Sequence, residues 1–161
     1  MAINVGERMP QGEFTQMTDK GPAKLGTDEL FKGKKVVLFG LPGAFTPTCS
    51  AKHVPGFLQN ASALVAKGID TIACVSVNDA FVMGAWAKDQ GTGTKVLMLA
   101  DGSAEYTKKL GLDLDLTARG MGVRAKRFAI VVNDGVAKHV AVENTPADLT
   151  VSSAEAILKV V

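Results

Sequence analysis

The chain is poor in cysteine, with two in 161 residues. Two thiols cannot staple a fold, and in a core-rich chain they are expected to stay reduced rather than bridge. Histidine is equally scarce, at two, so although Cys49 and His53 at helical spacing could share a metal, a closed zinc site is not expected. The formal net charge is only +2, which gives no general electrostatic hold on nucleic acid or on an anionic membrane. No apolar run approaches the roughly 18 residues of a membrane helix. The start, Met1 to Arg8, has no apolar leader core and no Arg/Ser-rich transit character. The end, Leu158 to Val161, carries no peroxisomal tripeptide or prenyl box. Glycines at 91, 93, 120 and 122 form no phosphate loop, so no cofactor is expected. A cytoplasmic location is the expectation. What the chain does have is apolar content, 47%, enough for a core without disulfides in one domain spanning residues 1–161.

Three short β-branched runs, Val36–Leu41, Thr71–Val77 and Phe128–Val132, read as buried strands, with a shorter one at Val96–Ala100. Asn133-Asp134-Gly135 predicts a tight hairpin into Val136–Val142. After Cys49, apolar residues at Val54, Phe57, Leu58, Ala61, Leu64 and Val65 recur at helical spacing, closed by Gly68. Asn78 or Asp79 can cap a second helix through Trp86. Ser152 or Ser153 can cap a last one, with Ala156, Ile157 and Val160 facing inward. Strands and helices in this order predict an α/β domain, a central mixed sheet flanked by helices. Gly111–Lys126 shows no clear element.

One stretch carries chemistry. Pro42-Gly43-Ala44-Phe45-Thr46-Pro47-Thr48-Cys49 follows the first buried strand. Pro47 suits a first helical turn, which puts Cys49 beside free backbone N–H groups and the positive end of the helix dipole. A free thiol is only about 3% ionised at pH 7, so complete ionisation gains about 30-fold. Nucleophilicity also falls as acidity rises. Ionisation alone therefore makes no fast enzyme, and the site must also hold the electrophile. Thr46, three residues earlier, can bring a hydroxyl beside the sulfur. Pro42 can shield it. Arg127, opening an apolar strand, needs an anion that a thiolate would supply. A lone cysteine in an apolar chain is by default inert core, but core cysteines rarely sit in a Pro/Gly turn. Pro55, one turn on, either kinks the helix for the site or bends it around the core. His53 is expected on the site wall and His139 at the surface. Arg119, Arg124, Lys126 and Arg127 cluster without aromatic interleaving, so a nucleic-acid role is not expected.

Pro42, Thr46 and Cys49 form Pro-x-x-x-Thr-x-x-Cys, and the chain resembles the peroxiredoxins in this signature. Phe39–Ser50, His53–Phe57, Ser76–Val82 with Trp86, and Arg124–Phe128 are similar to the peroxiredoxin-5 or type II subfamily, and the likeness runs from about Val5 to the end. The resemblance implies a thioredoxin-like fold with an N-terminal extension and a thiol peroxidase acting on hydrogen peroxide and organic hydroperoxides. It implies Cys49 as nucleophile, Thr46 and Arg127 as donors to the peroxide oxygens, and backbone N–H groups near Thr48 and Cys49 as helpers. Arg124 would orient the site or make a surface pair. Phe45, Thr48, His53 and Trp86 would line the substrate pocket, while the residues alone read Trp86 and Phe81 as covering a core face. A homodimer is implied, packing through Phe45, Pro47, Phe81 and the segment 111–123.

Cys74, mid-strand, reads either as core or as a resolving thiol that forms a disulfide with Cys49. Other subfamily members carry a resolving cysteine in a Leu-Thr-Cys-Ser context, where this chain has Leu149-Thr150-Val151-Ser152. The expected reductant is therefore an external thiol, glutathione with glutaredoxin or else thioredoxin. The alternative function is a peroxide-sensing switch or chaperone-like binding protein using Cys49 without efficient turnover.

Overall fold

The computed structural model describes residues 1–161. The strands are β1 (Glu13–Thr18), β2 (Gly21–Gly26), β3 (Lys35–Leu41), β4 (Thr71–Ser76), β5 (Leu97–Ala100), β6 (Asp113–Leu116), β7 (Gly122–Ala125), β8 (Phe128–Asn133) and β9 (Val136–Val142). The α-helices are α1 (Thr27–Phe31), α2 (Val54–Ala66), α3 (Ala80–Gln90), α4 (Glu105–Lys109) and α5 (Ala154–Leu158), and a π-helical turn at Cys49–His53 leads into α2.

Seven strands make one mixed sheet in the order β2-β1-β5-β4-β3-β8-β9. Its centre is the parallel trio β3, β4 and β5, flanked by antiparallel pairs on both sides. Strands buried on both faces read as continuous apolar runs, which is why β3, β4 and β8 stand out in the sequence. Alternate side chains feed two cores: Val37, Phe39 and Leu41 pack with α2 and α3 on one face, while Val36 and Leu38 pack with Phe31 and Tyr106 on the other. Asp134 and Gly135 both take positive φ, as a tight hairpin turn demands. Asp79 and Ser153 cap α3 and α5 through bonds to Val82 N and Ala156 N.

The differences from expectation lie in weakly patterned segments. The N-terminal extension, expected without assigned elements, forms a hairpin of β1 and β2 on the sheet edge. Gly111–Lys126 contains a second, two-stranded sheet of β6 and β7. Val65 and Val160, expected inside, are exposed. Val65 faces away from the sheet beside buried Leu64 within α2, and Val160 lies beyond the end of α5.

The sheet register prepares the site. β3 ends at Leu41, and the Pro42–Thr46 loop leaves from the carboxyl end of the parallel strands, the usual ligand edge of such sheets. Gly40 pairs with Phe128 on the antiparallel neighbour, so Arg127, just before Phe128, reaches that same edge. A Cβ at Gly40 would lie 2.2 Å from Cε1 of Phe128. Only glycine lets the ring lie across β3 and fix the strand that carries Arg127.

Candidate active site

The loop after β3 is pinned from two sides. Ala44 N–H donates to Asn78 Oδ1 at 2.9 Å, and Ser76 Oγ donates to the same oxygen at 2.6 Å. Arg124 donates through Nη1 to the Pro42 carbonyl at 3.3 Å and through Nε to Met121 O at 2.9 Å. Arg124 therefore holds the loop that carries buried Pro42. Phe45 takes φ +63°, a left-handed conformation uncommon for a bulky residue and typical of tightly determined functional loops.

Helical winding begins at Pro47. Ser50 N–H bonds back to Thr46 O at 3.0 Å. From Cys49 the winding widens: Val54 N–H reaches the carbonyl of Cys49, five residues back. The cause is Pro55, which lacks an N–H and would collide with the carbonyl four residues before it in an ordinary α-helix. A π turn absorbs that conflict, and such turns concentrate at functional sites. The Pro55 distortion thus falls on the Cys49 turn itself. Trp86 Nε1 donates to Ser50 Oγ at 3.0 Å, fixing the residue after the cysteine.

Cys49 is buried, and Arg127 meets it. The guanidinium is 2% exposed and all its edges are engaged. Nη2 donates to Cys49 Sγ at 3.2 Å, Nη1 to His53 Nδ1 at 3.0 Å, and Nε to the Pro146 carbonyl at 3.0 Å. No carboxylate forms an ion pair with it; the chain's ion pair is Lys24–Glu13. A buried cation needs an anionic or dipolar partner, and the sulfur is the partner at hand.

His53 is the second buried support. Arg127 can only donate, so Nδ1 must accept and the ring proton sits on Nε2. That proton is donated to Ser152 O at 3.0 Å. Burial, then the Arg127 charge, lowers the His53 pKa to about 3, against the raising effects of the Ser152 bond and Glu143. The imidazole is neutral at any ordinary pH. Phe39 and Phe57 pack beside it, with ring centroids 4.8 and 5.7 Å away.

Several expected groups take other places. The Thr46 hydroxyl does not donate to the sulfur; it donates to Gly43 O at 2.6 Å, leaving its oxygen free to accept. His53 bonds Arg127 from behind and lines a neighbouring cleft with Thr48, Lys52 and Pro55 rather than the one that Pro42 and Thr46 line. Trp86 lies wholly inside the core. Phe45 is 53% exposed, 6.3 Å from Trp86 between centroids, and faces outward. Thr48 does line the cleft, about 330 Å³ in volume, together with Pro42, Thr46, Arg119, Arg127 and Pro146. Cys74 is buried in β4, paired in register with Phe39. Burial pushes its thiol well up, with the Cys49 charge adding and Arg127 opposing.

Sequence reading weighed part of the segment 146–153 as a helix cap and for a resolving cysteine but missed its contacts to the site, Pro146 O and Ser152 O. It also missed Glu143, whose carboxylate organises that segment. A single acid directly after the apolar strand Val136–Val142 was the available signal.

A family model described as Redoxin matches residues 4–158. Peroxiredoxin-2E, chloroplastic, of Arabidopsis thaliana is 51% identical over 98% of this chain and 69% of its own length. Peroxiredoxin-2B of the same plant is 49% identical over 98% of this chain and 97% of its own. Among solved structures, reduced Prx3 from Vibrio vulnificus in complex with H2O2 is 48% identical, with TM-score 0.93 and 98% of each chain covered.

Proposed function

The chain belongs to the Redoxin family as a type II peroxiredoxin, and on that premise we propose that Cys49 is its peroxidatic nucleophile and Arg127 the donor that activates the peroxide. The protein is a thiol peroxidase of antioxidant defence, an oxidoreductase taking a peroxide and a thiol reductant. The observation that carries the residue assignment is the 3.2 Å contact from Arg127 Nη2 to Cys49 Sγ inside a buried site.

In the first half-reaction the Cys49 sulfur attacks the terminal oxygen of the hydroperoxide. The S–O bond forms as the O–O bond breaks, sulfur is oxidised to sulfenic acid, and the leaving alkoxide takes a proton to become alcohol or water. Nη2 meets the sulfur at 3.2 Å, and in this reading it follows the charge from sulfur to the leaving oxygen. Thr46 Oγ1, already donating to Gly43, accepts the peroxide O–H and aligns it. Pro42 and Thr48 on the cleft wall limit water. Such electrostatic aim is commonly the largest catalytic contribution, ~2.7–4 kcal/mol per donor.

In the second half-reaction an external thiol attacks the sulfenate, releasing water and leaving a mixed disulfide. A second thiol then restores Cys49. Cys74 is a core residue in this cycle. It is buried mid-strand, and its thiol is held protonated, a poor attacking group. Position 151 is valine. Glutathione with glutaredoxin is the reductant we favour, thioredoxin the second. Two free thiols suit a reducing, cytoplasmic setting. Exposed Phe45 and Phe81, at 53% and 69%, support a homodimer that packs beside the site loop.

The test is peroxide consumption by purified protein with excess reduced glutaredoxin. Wild type turns over; Cys49→Ser does not, and an active mutant overturns the assignment. The burial of Cys49 favours one rival, a peroxide-sensing switch whose oxidised thiol no reductant reaches. Stoichiometric oxidation without turnover would identify it.

A further inference from the structure

The Glu143 carboxylate lies just past β9, 6% exposed, and it has no cation bonded to it. It accepts five bonds from three consecutive residues. Oε2 takes Thr150 N–H at 3.0 Å, Val151 N–H at 3.0 Å, Ser152 N–H at 2.8 Å and Ser152 Oγ–H at 2.6 Å; Oε1 takes Thr150 Oγ–H at 2.9 Å. The bonds from Ser152 and Thr150 outweigh burial and hold the carboxyl below the ordinary glutamate range. Five donors converging on one carboxylate clamp the backbone of residues 150–152.

The clamp has a direction. Ser152, held twice by Glu143, presents its carbonyl to His53 Nε2–H. His53 in turn presents Nδ1 to Arg127 Nη1. Glu143 N–H also bonds to the Arg127 carbonyl at 2.9 Å, so the acid and the arginine are tied by main chain as well. A guanidinium is planar, and fixing two of its edges fixes the third. The third is the one that meets Sγ.

We propose that Glu143 is a positioning residue for peroxide reduction: through Ser152 and His53 it sets the angle at which Arg127 addresses Cys49 and the bound peroxide. This rests on the assignment of Cys49 and Arg127 made above. The groups facing His53 are Arg127 on β8's edge, the Ser152 carbonyl, Glu143 beyond it, and the Phe39 and Phe57 rings. Arg127 only donates and the two rings offer no acceptor, so once the Glu143 carboxylate is gone and the loop loosens, Nε2–H has no partner to replace the Ser152 carbonyl and the imidazole is free to turn.

The test separates positioning from folding. Reduced wild type, Glu143→Ala, Glu143→Gln and His53→Ala are mixed with hydrogen peroxide in single-turnover experiments, and separately with 2,2′-dipyridyl disulfide, a probe that needs the Cys49 sulfur but no O–O alignment. Glu143→Ala is expected to lose about 100-fold toward peroxide, the scale of a misplaced transition-state donor, and far less toward the disulfide. Glu143→Gln, which keeps an oxygen for the loop N–H groups, recovers most of the peroxide rate. The double variant with His53→Ala falls no further than the worse single, because the two act in series. If Glu143→Ala does not fold, Ser152→Ala, which removes one donor and keeps the carbonyl, is compared with Glu143→Gln in the same two assays. Equal losses toward both probes, or losses that multiply in the double variant, overturn the proposal. So does a wild-type-like peroxide rate in folded Glu143→Ala. A wild type unreactive toward peroxide would instead overturn the enzymatic assignment itself.

Discussion

Arg127→Lys keeps the positive charge and removes the fork. An ammonium can address one of the three partners now served by Nη2, Nη1 and Nε: Cys49 Sγ at 3.2 Å, His53 Nδ1 at 3.0 Å and Pro146 O at 3.0 Å. Two buried acceptors then lose their donor, at about 1–3 kcal/mol each, or roughly 2–6 kcal/mol of folding stability. If the ammonium settles toward His53 or Pro146, the peroxide loses its aligned donor, at ~2.7–4 kcal/mol of transition-state stabilisation, a fall of about 100- to 1,000-fold. Urea unfolding measures the first quantity. Stopped-flow oxidation of the reduced, folded variant by hydrogen peroxide measures the second. A folded Arg127→Lys protein that reacts with peroxide as fast as wild type would refute the argument, because it would show that charge alone suffices and the planar fork does not matter.

Acid should destabilise the fold through His53. Its folded-state pKa of about 3 lies below the ordinary 6.5, so the unfolded chain binds the extra proton first. The stabilisation is complete above pH 6.5 and is lost as pH falls toward 3, by up to about 5 kcal/mol in the limit. Glu143, held below its usual range, acts in the same direction at the acid end. Urea midpoints that stay level from neutral pH to pH 4 would show that His53 is not buried neutral. Cys74→Ala should turn over like wild type with an external reductant and lose only modest stability; loss of turnover in a well-folded variant would make Cys74 part of the cycle. Gly40→Ala places a Cβ 2.2 Å from the Phe128 ring; overpacking of this kind costs about 1–3 kcal/mol or more, and peroxide reactivity should drop with it as the Arg127 strand shifts. An unaltered melting temperature would mean that the ring moves freely.

The legible parts of the fold were those where burial on both faces writes a continuous apolar run: β3, β4 and β8. The Asp134-Gly135 turn was legible for a different reason, since its backbone needs positive φ. The hairpin of β1 and β2 was not, because β2 reads Gly-Pro-Ala-Lys-Leu-Gly and buries a single residue on an outer edge. The β6–β7 hairpin has the same problem. Within the site, Pro47 and the turn before Cys49 announced themselves through local rules. Arg127 could be suspected because a cation beside a core strand needs an anion. The His53 contact could not be read locally, since it depends on the π turn that Pro55 forces and on Arg127, 74 residues away in sequence just before β8. Thr46 shows the opposite failure: spacing allowed its hydroxyl to reach the sulfur, but the nearer Gly43 carbonyl takes the proton. Glu143 gave a single signal, a lone acid after an apolar strand, because three of its five partners are backbone N–H groups, which no side-chain pattern advertises.

The central claim is that Cys49 alone receives the peroxide oxygen and waits for a thiol from outside the chain. Mass spectrometry of the reduced protein after one equivalent of hydrogen peroxide, with dimedone present to trap sulfenic acid, tests it most directly. The account predicts a single dimedone adduct on Cys49 with Cys74 unmodified, and a mixed disulfide on Cys49 when glutathione replaces dimedone. An intramolecular Cys49–Cys74 disulfide, or an unmodified Cys49, would contradict it.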